Sequence, residues 1–411
     1  MTNTLNSKDY FTDKCRRQFA AFPWTIELYD PQGNCTLLGQ QQAHWYPENL
    51  QIHLHSSAAV KDFLNLNAFS LVERYLQGEV DLEGNFHILS SIKAYVPVKL
   101  TLWQLARSYL RHHYFQTIDR ARDSVKSHYD MPQALLELYL DTRYMAYSCA
   151  MFEDSALNAE CLPILRQAGL GERDEVDSLE KAQWRKFKDA VDFIAPAPGE
   201  TLLDVGCGYG GQLEVALGHH PFGKVVGWTH SHNQVMAGAK LLAAFPRERW
   251  ELNEGDYRED TRRYDHITST GMISHVGPRG LEPYVRNIRR RIRTGGRYLH
   301  HALMANYSTT PLDRQVGIAF NKRYVWPGFH WFTLAEHMRV LEQNGFKLMH
   351  MQNLRAQYSK TITAWYERFM LHKEVMQAEM GEPTFRAWRL YLGGGAGIHS
   401  GDVNRLYCVA I

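Results

Sequence analysis

The sequence predicts an α/β fold, a mainly parallel sheet with helices on both faces, preceded by a smaller mixed α+β region. Three observations predict it. Between about 200 and 305, short apolar runs alternate with helical segments, the rhythm of strand–helix–strand units. One of those runs, Thr201-Leu-Leu-Asp-Val205, breaks into a glycine-rich turn, Gly206-Cys-Gly-Tyr-Gly-Gly211, and then a helix. The 411 residues suggest two domains or one enlarged domain, and the first hundred lack this rhythm.

Trp24-Thr-Ile-Glu-Leu-Tyr-Asp30 alternates like a half-buried strand, and Pro31-Gln-Gly-Asn34 marks a turn. Gln51-Ile-His-Leu-His55 alternates again. Ala68 to Gln77 has helical spacing and stops at Gly78. Glu79 to Gly84 reads as a loop, and Leu89 to Ile92 opens another helix. From about 100 to 126 a helical connector carries Arg107, Arg111, His112, His113, Arg120, Arg122 and Lys126. Such a run fits a solvated helix face or contact with lipid phosphates, the first being commoner. Residues 128 to 152 gather aromatics, hydroxyls and a thiol around a polar loop. A helix ending near Gln183 and Lys186 leads into the glycine strand, and about 154 to 178 reads as an exposed insertion.

Strands are expected at 201–205, 224–228, 249–252, 264–270 and 296–303, and helices at 211–218, 232–243 and 281–293. Ligands of such sheets sit at the carboxyl ends of the strands. That places Gly206 to Gly211, Thr229, Asp256 and Gly271 to His275 around one crevice. From 306 onward an aromatic and basic stretch reads as a helical lid, closed by a strand near Val403 to Ile411.

Composition excludes several classes. A net charge of +2 gives no reason to expect nucleic acid. No apolar run approaches the roughly 20 residues that span a bilayer, and Met1 to Tyr10 has no signal-peptide shape. Six cysteines without paired metal spacing suit a reducing cytoplasm. The 20 histidines form no His-Glu-x-x-His zinc pattern, so no metal is expected.

A glycine turn alone serves a dinucleotide, a flavin, S-adenosylmethionine or close packing. Here Asp204 precedes the glycines, and the second strand, Lys224-Val-Val-Gly-Trp228, ends in Thr229. A dinucleotide site wants an acid there for its ribose. Asp-x-Gly-x-Gly is how S-adenosylmethionine methyltransferases begin.

Further stretches carry a wider likeness. They are His128-Tyr-Asp130, Tyr147-Ser-Cys149, Ala182-Gln183, Asp204 to Gly211, Gly227-Trp-Thr229 with Ser231 and Gln234, and Asp256-Tyr-Arg258. Gly271-Met-Ile-Ser-His-Val-Gly277, Leu299-His300, Tyr324-Val-Trp-Pro-Gly328, Tyr358 to Trp365 and Phe385 to Leu392 continue it, in register, over most of the chain. Together they resemble the cyclopropane-fatty-acyl-phospholipid synthases, a family that includes the mycolic-acid cyclopropane synthases.

The resemblance implies a Rossmann-like class I methyltransferase domain over 128–411, with a mainly parallel seven-stranded sheet and an aromatic helical lid at about 306–395. It also implies a lipid-binding-like domain over 1–100, to which Gln77-Gly-Glu79 and Asp81 belong, and a connector over 101–127. The reaction it implies is attack by an acyl double bond on a sulfonium methyl, followed by loss of a proton. In ring-forming members bicarbonate takes that proton. By motif its ligands would be Cys149, His300 and Tyr358, with a glutamate from Glu-His-Val-Gly. That motif here reads Ser274-His275-Val-Gly277, and a serine offers a hydrogen bond in place of a carboxylate. Ring closure with altered ligands, another base such as His301, and an open-chain methyl-branched or methylene product all follow as alternatives.

For S-adenosylmethionine the resemblance implies Gly206, Gly208 and Gly210 along its amino-acid and ribose portions. Thr229 and Gln234 would take the ribose, Asp256 the adenine side, and Tyr147 and Ser148 the methionine carboxylate. Asp204 either orients the glycine loop or binds. Trp250 and Cys207 read as core, and nothing in this chemistry needs a Cys149 thiolate. Tyr324, Trp326, Phe329, Tyr358 and Trp365 wall an apolar tunnel, one or two of them facing the cation. The run Arg279, Arg286, Arg289, Arg290, Arg291, Arg293 and Arg297 reads as a headgroup contact or as a solvated helix. The implied partners are an unsaturated phospholipid, the inner membrane surface and a second copy of the chain. Two other readings stand beside this one: a small-amine N-methyltransferase and an inactive lipid-binding protein.

Overall fold

The computed structural model describes residues 7–44, 46–97, 133–153, 157–158, 176–305, 321, 325, 329–395 and 401–411. The basic connector, His128 to Asp130, most of the insertion, Tyr324 and Trp326 lie outside the described residues.

The sheet that positions the site has seven strands. In chain order they are β7 (Thr201–Val205), β8 (Lys224–Thr229), β9 (Trp250–Glu254), β10 (His266–Thr270), β11 (Arg297–Ala305), β12 (Phe346–Asn353) and β13 (Gly401–Ala410). In space they run β12-β13-β11-β10-β7-β8-β9, so the order reverses between β7 and β10. A crevice opens at such a reversal, outside the carboxyl ends of the strands. Strands β7 to β11 pair in parallel, and only β13 runs antiparallel to its neighbours. Central strand β7 is apolar because it is covered on both sides, and Leu202, Leu203 and Val205 are fully buried. Each expected strand and helix from 201 to 305 forms within about two residues of its expected bounds.

Helix Leu179–Ile194 covers one face of the sheet. Its capping residue Ser178 accepts from the backbone N–H of Lys181, and eight side chains along its inner stripe are buried. Gln183 and Lys186 lie in its first half, not at its end as the sequence suggested. Helix Leu281–Arg291 covers the other face through Leu281, Tyr284, Val285 and Ile288.

A four-stranded sheet, β2-β1-β3-β4, forms from β1 (Ile26–Tyr29), β2 (Cys35–Leu38), β3 (Leu50–Leu54) and β4 (Val80–Gly84). Strand β4 corrects the loop expected there. Its acidic residues alternate with buried Val80 and Leu82, a period of two that fits a half-exposed strand. Beyond 330 the structure adds β12, which the lid reading missed. Helix Leu334–Gln343 precedes that strand, and three helices follow it, Arg355–Leu371, Lys373–Met380 and Glu382–Gly395. These last three pack on the four-stranded sheet's side of the molecule. One continuous apolar core joins Phe22, Leu50 and Phe86 to Trp365, Phe369 and Trp388.

Candidate active site

The glycine turn follows β7 directly. Gly206, Gly208 and Gly210 have φ of +77°, +53° and +84°, the left-handed region that glycine alone enters freely. The turn is held from β8, where the Trp228 carbonyl accepts from the N–H groups of Gly206 and Cys207. It sits close to β8: a Cβ on Gly227 would lie 2.7 Å from Cys207 Sγ.

Two adjoining cavities open over the turn, of about 240 Å³ and 80 Å³. Among the expected site residues, Tyr147, Ser148, Cys149, Gly206, Gly208, Thr229, Gln234, Asp256, Ser274, His275 and Tyr358 line the larger one. Asp204 lines the smaller, which shares Tyr147, Ser148, Gly206, Gly208 and Gln234 with it. Two expected residues lie elsewhere. Gly210 lines neither cavity, and the Cβ it lacks would face Gly238 and Leu242, so it serves the packing of helix Gly211–His219 on helix His232–Leu242.

The second is His300. Successive strand residues face opposite sides of a sheet. Tyr298 and His300 share the face under helix Leu281–Arg291. There His300 Nδ1 lies 2.7 Å from the Tyr298 hydroxyl and Nε2 lies 2.9 Å from His337 Nδ1. Of these two neighbours it is His301 that lines the larger cavity, with its Nδ1 buried and without a hydrogen-bond partner. Burial, with help from the Arg405 and Lys186 charges, pushes its basicity well below the ordinary histidine range. The imidazole is therefore neutral at physiological pH.

The two ends of the larger cavity differ. One end is polar. The Thr229 hydroxyl donates to Gln234 Oε1, and Ser231 caps the helix that carries Gln234. Asp256 is held by Arg258; burial alone would raise its pKa, but the Arg258 hydrogen bonds win and lower it. Trp228 and Tyr257 add aromatic wall beside them. The other end is apolar and aromatic: Leu303, Phe329, Tyr358, Tyr391 and Val403, with Cys149 and His301. Trp365 stands behind this wall, stacked on Tyr147 at 4.8 Å and edge-on to Tyr358 at 6.1 Å. Burial pushes the Cys149 thiol up to about 12, and Sγ points at the carbonyls of Ala150 and Leu354. Cys149 is thus a neutral thiol turned to the backbone. Trp250 is core, with Arg247 over its ring at 4.2 Å.

Loop 144–150 brings Tyr147, Ser148 and Cys149 to the cavity, and three elements pin it. Asp141 accepts from the N–H groups of Tyr144 and Ala146. Gln183 donates to the carbonyls of Ala146 and Ser148. Thr361 accepts from the N–H of Ala150.

A family described as mycolic acid cyclopropane synthetase matches residues 115–408. The chain belongs to that family. A probable fatty acid methyltransferase of Pseudomonas putida is 32% identical over 280 residues, 67% of this chain and 65% of the relative. The cyclopropane-fatty-acyl-phospholipid synthase of Escherichia coli is 27% identical over 66% of this chain and 63% of its own length. The chain thus spans about six-tenths of the length of these curated relatives. Among solved structures, the cyclopropane synthase MmaA2 from Mycobacterium tuberculosis aligns with a TM-score of 0.59 and 25% identity, over 70% of this chain and 98% of that one. Mycolic acid cyclopropane synthase CmaA1, complexed with SAH and CTAB, aligns with a TM-score of 0.60 at 25% identity, over 70% of this chain and 98% of that one.

Within the family frame the arginine run is mostly engaged. Arg286 pairs with Glu282 and Arg293 with Asp265, while Arg289 and Arg297 donate to the carbonyls of Ile411 and Phe193. Arg291 is buried against the carbonyls of Tyr257 and Arg258. Among the described residues no helix is long and apolar enough to cross a membrane, and no cluster of His, Cys, Asp and Glu has the arrangement of a metal site.

Proposed function

We propose that the chain transfers a methyl group from S-adenosylmethionine to the carbon–carbon double bond of unsaturated fatty acyl chains in phospholipids. The observation that most supports this is one cavity with two unlike ends. A polar end lies over the glycine turn, with Thr229 and Gln234. An aromatic end includes His301, neutral and with a buried Nδ1 that has no hydrogen-bond partner. In this reading Gly206 and Gly208 flank the cofactor's amino-acid portion, Thr229 and Gln234 its ribose, and Asp256 and Tyr257 its adenine side. Tyr147 and Ser148 meet its carboxylate. The first hundred residues would handle lipid, and residues from about 128 onward would hold the site.

The bound cofactor supplies a sulfonium methyl; the alkene's π electrons form the new carbon–carbon bond as the sulfur–methyl bond breaks. A neutral thioether leaves, and positive charge remains on the neighbouring chain carbon. The ring faces of Phe329 and Tyr358 suit that charge, by up to about 2 kcal/mol in a dry site. A proton must then depart, and in this reading His301, on the cavity wall, takes it. Taken from the added methyl, it allows ring closure to a cyclopropane. Taken from that methyl after a hydride shift along the chain, it leaves a methylene; taken from the chain, it leaves a methyl-branched alkene. These open-chain products are the second reading, which Ser274 favours because a hydroxyl stands where the family motif has a carboxylate.

Bicarbonate fits these residues poorly. Cys149 is spent on two carbonyls, His300 faces away, and Ser274 replaces the glutamate.

The test is expression in a bacterial host lacking its own cyclopropane synthase, followed by lipid mass spectrometry. The proposal expects acyl chains heavier by one CH2 unit. Unchanged lipids, with folded protein present, would contradict it.

A further inference from the structure

Lys186 has no place in the reaction above, yet it is one of the largest fully buried side chains, only 1% exposed. A buried ammonium is expensive unless partnered. Its partners are specific. Nζ donates to Gln183 Oε1 at 2.6 Å and to Ser148 Oγ at 2.8 Å. Gln183 in turn grips the loop carbonyls of Ala146 and Ser148 through Nε2, at 3.2 and 3.0 Å. Ser148 lines both cavities where they meet at the glycine turn. The serine hydroxyl accepts from Lys186 through its lone pairs, so its own hydrogen remains free to donate into the cavity. A buried lysine thus stands one hydroxyl behind the cavity wall.

We infer that Lys186 is a positioning residue for the carboxylate of the cofactor, acting through Ser148. It orients the serine hydroxyl toward that anion and sets a positive potential behind it, strengthened by the low local dielectric. This inference rests on the proposed reading of the cavity as an S-adenosylmethionine site and adds to it a residue about two turns into the helix.

The charge state makes the idea measurable. Burial lowers the Lys186 pKa to about 7, and the groups facing it are Asp141, Arg405, Cys149, Asp204 and His301. Asp204 on β7 is itself pushed up to about 7 by burial, although Thr268 donates to it. Binding an anion favours the protonated lysine. Affinity for a carboxylate ligand is therefore full below pH 7 and falls as pH rises above it, by at most about tenfold per unit.

The experiment compares two thioethers by calorimetry on the full chain. S-adenosylhomocysteine carries the amino-acid tail, and 5′-methylthioadenosine lacks it. In the wild type, from pH 6 to 8.5, affinity for the first is expected to fall above pH 7 while that for the second stays flat. In Lys186→Met, affinity for S-adenosylhomocysteine is expected to drop at least tenfold and to lose its pH slope, with methylthioadenosine within twofold. Equal weakening of both ligands in the variant, or the same pH profile for both in the wild type, would overturn the inference and leave the cofactor site standing. A wild type that binds neither would overturn both. Because the wild-type pH comparison needs no substitution, the same profile for both ligands overturns the inference even if Lys186→Met fails to fold.

Discussion

Two glycine-to-alanine substitutions within one unit of the sheet are expected to act with opposite sign. Gly227 sits in β8, where an added Cβ would lie 2.7 Å from Cys207 Sγ, 2.9 Å from Cys207 Cβ and 2.8 Å from Leu213 Cδ1. Carbon atoms in comfortable contact stand roughly 3.5–4.0 Å apart, so the neighbours must yield by about 1 Å. They cannot yield cheaply. Leu213 is fully buried, and Cys207 is fixed in the turn by the bond from its N–H to the Trp228 carbonyl. Overpacking of this kind costs about 1–3 kcal/mol. The same push moves Gly206 and Gly208, which line the cavity, so we expect affinity for S-adenosylhomocysteine to fall about tenfold, or about 1.4 kcal/mol. Gly218 is the counterpart. It lies exposed in helix Gly211–His219, and its added Cβ would meet only Phe245 Cζ, at an ordinary 3.7 Å. Gly218→Ala should stabilise by about 0.5–1 kcal/mol through reduced chain entropy. Urea denaturation and calorimetry read both quantities. Removing the obstructing side chain, in the Cys207→Gly/Gly227→Ala pair, should recover at least half of the lost stability. A Gly227→Ala protein as stable as the wild type, or a double variant no better than the sum of its singles, would refute the reasoning.

His301→Asn should lower methyl transfer at least about 100-fold, as loss of a general base does, while S-adenosylhomocysteine binds within threefold of the wild type. His300→Phe should do the reverse. It removes the partner of His337 Nδ1 and one of the two partners of the Tyr298 hydroxyl in a dry interior, costing about 1–3 kcal/mol in urea denaturation, with cofactor affinity unchanged. Turnover in carbonate-free buffer should match turnover with added bicarbonate within twofold; a tenfold dependence would restore bicarbonate as the proton acceptor.

The parallel half of the sheet was legible because its strands are buried on both faces. Runs such as Leu202-Leu-Asp-Val205 are nearly continuous apolar stretches between turn residues. Strand β12 was not legible, because it is the sheet's edge: Met349 and Met351 are exposed there, and only Phe346 along it is fully covered. Strand β4 carried a period of two that its acidic residues disguised. At the site, the position at strand ends pointed to the glycine turn and Thr229, and the family likeness to Gln234 and the Tyr147 loop, all of which have residues on the cavity wall. Residue types could not separate His300 from His301. Neighbours on a strand face opposite ways, and only the register with β10, which sets Thr270 beside His301, tells which one meets the cavity. Lys186 was missed for a related reason. A lysine in the sequence reads as surface, and its burial depends on how helix Leu179–Ile194 rotates against the sheet.

The central claim is methyl transfer to an acyl double bond with the proton passing to His301. The most direct measurement incubates the purified chain with S-adenosylmethionine bearing a trideuteriomethyl group and vesicles of a monounsaturated phospholipid, then weighs the released acyl chains. The account predicts one labelled carbon per modified chain in the wild type and none with His301→Asn. Retention of all the deuterium would assign the lost proton to the chain and the product to the open form. Loss of a single deuterium would assign it to the added methyl, as ring closure or a methylene product requires, and the fragmentation pattern separates those two. Unlabelled acyl chains from a protein that binds S-adenosylhomocysteine, or full labelling by His301→Asn, would contradict the account.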